Sequence, residues 1–330
     1  MAHLDPERFE VIPVGITKDG TWTVGVSDAQ TLSAHGRELP EVRFEREVSL
    51  SVDPSRRGVL RYENGELYAT ADVIFPVLHG RFGEDGTIQG LFELSGVPYV
   101  GPGVVASAAG MDKEVAKKLM VAEQLPTGKE VILRDRTELT HEEQEELGLP
   151  VFVKPARGGS SIGISKVSSW QELTGAVELA RQYDSKVIVE AELVGAEIEC
   201  GVLQYPDGRV VASVPAQLRG TESGDEGFYG FDTKYLDNVV SADIPAPIGE
   251  EATRQIQEIA VATFKALECD GLSRVDFFLT ERGPVLNEIN TMPGFTAISM
   301  YPQVFAASGV EYSELLSLLV ERALARFGVA

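Results

Sequence analysis

Two cysteines, Cys200 and Cys269, are all the thiols in 330 residues. They lie far apart, with no Cys-x-x-Cys and no histidine at metal-ligand spacing. Neither a disulfide framework nor a zinc site is expected, and both read as small buried hydrophobes. Long apolar runs are missing too. Stretches such as 73–78 and 151–153 fall far short of the roughly 20 residues that cross a bilayer, so no membrane role is expected. The opening Met1-Ala2-His3-Leu4-Asp5-Pro6 has no basic segment followed by an apolar one, which argues against a secretory signal and for the cytoplasm. Basic residues are scarce: 29 Lys and Arg stand against 51 Asp and Glu, a formal charge of -22. That balance disfavours binding to nucleic acid, which is held chiefly by a basic surface, and reads instead as a well-solvated surface. It leaves room for a small polyanion, which needs only a few cations placed locally. No internal repeat and no low-complexity tract is present.

What is there suffices for two or three domains with buried cores, since 43% of the residues are hydrophobic. The apolar run Phe9 to Ile16, ended by the turn Lys18-Asp19-Gly20, and the run Asp72 to Leu78 predict strands. Ile88, Leu91 and Phe92 before Ser95-Gly96 predict a short helix with a glycine stop, followed by a strand over Val97 to Val100. Residues from about 40 to 70 carry mixed charge and little periodicity, and read as a surface connection. Asp112 caps a helix whose apolar positions are Val115, Leu119 and Ala122. Ser169 with Glu172 forms a capping box ahead of a face of Trp170, Leu173, Val177 and Ala180. Strands are predicted near 151–154, 186–190, 198–203, 210–215, 274–279 and 284–290, with long helices near 250–268 and 313–325. An alternating α/β segment followed by α+β segments with mixed, largely antiparallel sheets is the expected class.

Four stretches carry chemistry. Lys154-Pro155-Ala156-Arg157-Gly158-Gly159-Ser160-Ser161-Ile162-Gly163 lies between the strand 151–153 and a second predicted strand, Ile164 to Val167. Its glycines expose backbone N–H groups that can fold over phosphate oxygens. Because a strand follows, it is neither a Walker loop nor a dinucleotide fingerprint, both of which open a helix. Arg274 and Asp276, then Glu288 and Asn290, share faces at period two. If their strands are neighbours, Asp276, Glu288 and Asn290 converge as hard oxygen ligands suited to Mg²⁺ on nucleotide phosphates. Directly after them comes Thr291-Met292-Pro293-Gly294-Phe295-Thr296-Ala297-Ile298-Ser299, where a glycine N–H is available to an oxyanion. Last is the aromatic, glycine-containing stretch Phe228-Tyr229-Gly230-Phe231-Asp232-Thr233-Lys234-Tyr235, which by itself would be a plain surface loop.

Together with His79-Gly80-Arg81-Phe82-Gly83-Glu84-Asp85-Gly86 and Met111-Asp112-Lys113, these motifs, in this order, resemble the ATP-grasp ligases, and among them the D-alanine–D-alanine ligase family, from about Leu4 to Phe327. The resemblance implies an ATP-grasp fold with an N-terminal α/β substrate domain over 1–101, a central subdomain over 102–189 and a C-terminal subdomain over 190–330. It implies that Lys113 and Lys154 hold nucleotide phosphates, that Glu190 and Leu193 lie along the adenine edge, that Glu197 bonds the ribose, and that Phe228 belongs to the nucleotide site. Asp276, Glu288 and Asn290 would hold Mg²⁺ or Mn²⁺, two ions in all, and a monovalent K⁺ is a further candidate. Lys234 would hold the transferred phosphoryl group, Arg274 and the Gly294 N–H an oxyanion, Ser299 the second D-alanine and His79 the first. The segment Phe228 to Tyr235 is expected to act as a lid. A homodimer in the cytoplasm, making a peptidoglycan precursor from D-alanine and ATP, is the implied setting.

One departure stands out. The family begins with a strand, a Gly-Gly-x-Ser-x-Glu-His loop and a helix ahead of the segment equivalent to Leu4–Phe9, and this sequence has none of them. The glutamate of that loop pairs with groups that here would be Ser160 and Tyr235, so the first-substrate pocket is expected to be incomplete and the N-terminal domain truncated, with nucleotide binding kept. A start codon placed too late would account for this. Two other readings stand beside the active ligase: a related carboxylate-amine ligase, including those making D-alanine–D-lactate or D-alanine–D-serine, and a non-catalytic ATP-binding module.

Overall fold

The computed structural model describes residues 3–25, 41–159, 162–220, 241–296 and 299–329. Ser160, Phe228, Lys234 and Tyr235, and with them the expected lid, lie outside the described residues.

The first hundred residues differ most from expectation. The run from Phe9 forms a strand only at its end: β1 (Gly15–Ile16) pairs with β2 (Trp22–Thr23) across a turn in which Gly20 takes a φ of +90°. Residues 40–70, expected as a connection, instead build a three-stranded antiparallel sheet, β3 (Val48–Leu50), β4 (Val59–Tyr62) and β5 (Leu67–Thr70). Its strands are three or four residues long, and only Val48, Leu50 and Leu60 in them are buried, so each is too short to show a period of two among the charged residues that separate them. The runs at 72–78 and 97–100 meet at a parallel bridge, Ile74 opposite Tyr99, rather than as full strands. Helix α1 (Thr87–Ser95) ends where expected, with Gly96 at a φ of +67° closing it.

Helices α2 (Val104–Met111) and α3 (Lys113–Ala122) follow, the second capped by Asp112, whose carboxylate accepts from the Val115 N–H. Next comes a four-stranded sheet ordered β6 (Glu130–Leu133), β9 (Val187–Ala191), β7 (Val151–Pro155), β8 (Ser165–Val167), with helices α4 (His141–Leu147) and α5 (Leu173–Arg181). Val131, Leu133, Val151, Val153, Val187 and Val189 point to one side and pack with Leu173, Val177 and Ala180 of α5. The even-numbered residues face the other way. Residue 189, the expected domain boundary, falls inside β9, which pairs with β6 and β7 through Glu190 and Ala191.

The remaining strands form a second antiparallel sheet: β13 (Ser241–Asp243), β12 (Ala216–Arg219), β10 (Ala196–Gln204), β14 (Leu272–Thr280) and β15 (Gly283–Asn290) in that order, with β11 (Val210–Ala212) beside β10. Helix α6 (Glu250–Ala266) lays Ile256, Ala260 and Phe264 on it, and α2 and α3 contribute Ala106, Ala116 and Met120 to the same core. Helices α7 (Met300–Ala307) and α8 (Tyr312–Arg326) close the end of the sheet around Tyr301, Phe305 and Leu319. Cys200 and Cys269 are free and buried, as expected, and burial pushes both thiols up, Cys200 to about 12. No helix among the described residues is long and apolar enough to cross a membrane.

Candidate active site

Strands β14 and β15 are neighbours, which the sequence left conditional. Arg274 lies opposite Asn290, and Asp276 opposite Glu288. The Arg274 guanidinium bonds both Asp276 carboxylate oxygens at 2.7 Å and reaches Glu199 of β10 at 3.3 Å, while the Asn290 amide donates to Asp276 at 2.9 Å. Burial works against the Arg274 charge, but Asp276 and Glu199 outweigh it and hold the group protonated. A cleft beside this cluster is lined by Glu197, Glu199, Leu218, Asp276 and Glu288. Glu199 escaped the sequence reading, although its period-two relation to Glu197 on β10 was the available signal.

Lys113, the first residue of α3, joins this cluster to the glycine-rich hairpin. Its ammonium donates to the Gly158 carbonyl at 2.9 Å and lies 3.5 Å from Glu288. The hairpin is the predicted one, β7 and β8 flanking the glycines. Its entrance is fixed by Asp184, which accepts from the Arg157 N–H at 2.9 Å and the Arg157 guanidinium at 2.5 and 3.0 Å. Lys154 and Glu190, expected on phosphate and adenine respectively, form an ion pair with one another, and Lys117 pairs with the other Glu190 oxygen. Leu193 packs beside Gly128, and Glu197 occupies β10 opposite Phe278.

His79, Gly294 and Ser299 converge as well. A methyl group added at Gly294 would sit 2.7 Å from the Ser299 hydroxyl and 3.8 Å from the His79 ring. Ser299 accepts from the Thr296 N–H at 2.9 Å. Desolvation chiefly, with Arg274 nearby, keeps His79 below the usual histidine range, against the pull of a hydrogen bond to the Met292 backbone. Gly294→Ala is therefore expected to displace the Ser299 hydroxyl and, with the substrate role that the resemblance implies for Ser299, to raise a substrate KM by roughly tenfold or more. A steady-state KM within twofold of the parent protein would show that the contact does not matter.

Two family models match the chain, D-ala D-ala ligase N-terminus over residues 1–102 and D-ala D-ala ligase C-terminus over 116–321. The curated D-alanine–D-alanine ligase of Corynebacterium efficiens is 70% identical over 99% of this chain and 90% of its own length. The chain belongs to the D-alanine–D-alanine ligase family. The ligase of Corynebacterium glutamicum ATCC 13032 is 69% identical, covering 99% of this chain and 91% of its own. Among solved structures, the VanG D-Ala:D-Ser ligase of Enterococcus faecalis superposes with a TM-score of 0.81 at 35% identity, covering 98% of this chain and 92% of its own. The Bacillus anthracis ligase complexed with ATP gives 0.66 at 30% identity, over 78% of this chain and 80% of its own. These likenesses establish an ATP-grasp fold for the ligase-family chain, as expected.

Within this ligase-family site, Glu84 of the His79–Gly86 motif is a group to which the resemblance gave no role. It accepts from the Gly80 N–H, and burial, followed by the repulsion of Glu288, raises it to about 7 against the pull of that hydrogen bond, Arg274 and Lys113. A carboxyl raised in the folded state contributes stability in full below about pH 4.5 and loses it as pH rises through about 7. Glu84→Gln should thus leave the metal-free protein's melting nearly unchanged at pH 4.5 and stabilise it at pH 8 by roughly 1–3 kcal/mol. Equal shifts at the two pH values in thermal melts would refute the assignment.

Proposed function

We propose that this chain joins two D-alanines at the expense of ATP, giving D-alanyl-D-alanine, ADP and phosphate for peptidoglycan precursor synthesis. The observation that carries the reading is Lys113, which spans from the glycine-rich hairpin at Gly158 to the carboxylate Glu288. It puts a phosphate-binding turn and a hard-oxygen pair within one side chain of each other. The donor set of two carboxylates and one amide, Asp276, Glu288 and Asn290, fits a divalent cation, since Asp276 lies opposite Glu288 and is bonded by the Asn290 amide, which brings three hard-oxygen side chains together. Among the described residues no group of three His, Cys, Asp or Glu side chains is placed to hold a metal ion by itself, and this reading takes the Asn290 amide as the third donor. Mg²⁺ or Mn²⁺, as two ions, would neutralise charge on the triphosphate, with K⁺ as a further candidate.

The rest of the work falls to the chain. Lys113 and Lys154 hold phosphates, Glu190, Leu193, Phe228 and Glu197 line the nucleoside, and the glycine turn covers it. The carboxylate of the first D-alanine, placed by His79, attacks the γ-phosphate to form an acyl phosphate. Lys234 accompanies the phosphoryl group. The amine of the second D-alanine, whose carboxylate Ser299 binds, then attacks the carbonyl. Arg274 and the Gly294 N–H offset the charge on its oxygen, and phosphate leaves. Ser160 and Tyr235 complete the first-substrate side. A three-part division of the chain, a cytoplasmic location and a homodimer belong to the same proposal. The test is phosphate release with ATP, Mg²⁺ and a panel of D-alanine, D-serine, D-lactate and L-amino acids. Release that requires D-alanine and yields D-alanyl-D-alanine supports the reading. Release indifferent to D-amino acids overturns it.

A further inference from the structure

The face of the four-stranded sheet turned away from α5 carries Glu130 on β6, Lys154 on β7, and Lys186 and Glu190 at β9. Helix α3 and its cap meet that face with Asp112, Glu114 and Lys117, so charge rather than apolar surface joins the two. Lys186 bonds Asp112 at 2.5 and 2.6 Å and Glu114 at 2.9 Å. Deeper in, Lys117 is 6% exposed and Glu190 8%. The Lys117 ammonium sits between Glu190 and Glu130, the latter at 2.8 Å, and these two glutamates lie directly opposite one another in the β6–β9 register. Lys154 pairs with the second Glu190 oxygen. Two carboxylates and two ammoniums thus form a neutral chain of ion pairs, Lys154–Glu190–Lys117–Glu130, buried except at Glu130, which is half-buried.

Lys154 has two claims on it. In the reading above it serves the nucleotide phosphates, yet in this structure it is bound to Glu190. A buried carboxylate stripped of its only counter-ion is strongly disfavoured, so Lys154 can leave Glu190 only if another cation stays behind. We propose that Lys117 is a positioning residue for nucleotide binding: by holding Glu190 through its other oxygen, it frees Lys154 to turn to the phosphates. Lys117 itself touches neither nucleotide nor amino acid. Its position, one helical turn after Lys113, puts both lysines on the same side of α3, one at the cleft and the other beneath it.

The proposal rests on the ligase reading and is tested by a double-mutant cycle on the full chain, with the ATP dissociation constant measured by calorimetry alongside the KM for ATP. Lys117→Met should weaken ATP binding by roughly ten- to a hundredfold while kcat at saturating ATP stays within about threefold. In a Glu190→Gln background, where the carboxylate that pairs with Lys154 is gone, adding Lys117→Met should change the dissociation constant by less than about threefold. Should Lys117→Met not yield folded protein, Lys117→Gln removes the charge while keeping a donor and carries the same test. Equal weakening in both backgrounds overturns the proposal, as does unchanged ATP binding in the single variant. Failure of the ligase reading would appear separately, as absence of D-alanine-dependent turnover in the parent chain.

Discussion

Arg274→Met is expected to abolish ligation and to destabilise the protein by about 3–5 kcal/mol, the range found when one partner of a buried ion pair is removed. The Arg274 side chain is 17% exposed, and Asp276 and Glu199 beside it are 13% and 10% exposed. Removing the guanidinium leaves two carboxylates facing each other across β10 and β14, with Glu288 opposite Asp276 on β15. Lys is a poor substitute, because the bond from Arg274 to Asp276 uses two nitrogens in a planar fork. Thermal or urea melts check the stability, and coupled phosphate release checks the activity. The destabilisation should be smaller at high Mg²⁺, where a bound cation restores part of the lost charge. A folded Arg274→Met protein that melts with the parent and keeps a tenth of its turnover would refute the role given to Arg274.

Glu288→Gln should lower the rate of phosphate release by roughly 10²–10³ while changing the ATP dissociation constant less than about tenfold. The amide keeps the shape and an acceptor oxygen but removes one negative charge. That charge matters most where the transferring phosphoryl group spreads its own, and much less for holding adenine and ribose. Lys113 is 3.5 Å from Glu288, so the variant also leaves Lys113 with less to hold it at the cleft. The half-saturating Mg²⁺ concentration should therefore rise together with the fall in rate. Near-normal turnover at limiting Mg²⁺ would show that Glu288 is not a metal ligand.

Much of this site was legible beforehand because its motifs are local. A strand, a glycine turn and a returning strand need no knowledge of the rest of the chain, and β7 and β8 flank the turn as read. Period two put Asp276 with Arg274 and Glu288 with Asn290, while the pairing of β14 with β15, on which their convergence was conditional, came with the fold. The capping residue of α3 and the glycine stop of α1 were legible for the same reason: each is satisfied within one helical turn.

Helix α3 shows where that reasoning stops. By apolar spacing its inward residues should be Val115, Leu119 and Ala122, yet Val115 is 38% exposed, while Glu114, Ala116, Lys117 and Met120 are buried. Nothing within the helix reveals that its charged residues face inward, because the groups that neutralise them, Glu130, Lys186 and Glu190, stand on strands that follow it in the chain or, for Lys186, at the start of one. The same holds for Glu199 against Arg274 and for Lys154 against Glu190. The sequence alone determined which residue types were available for phosphate, metal and carboxylate chemistry, and which local turns and strands would carry them. Which charges pair, and which therefore can be buried, was decided only when β6, β9 and α3 came together, since desolvation of an ion is tolerated only where a partner of opposite sign is brought by the fold.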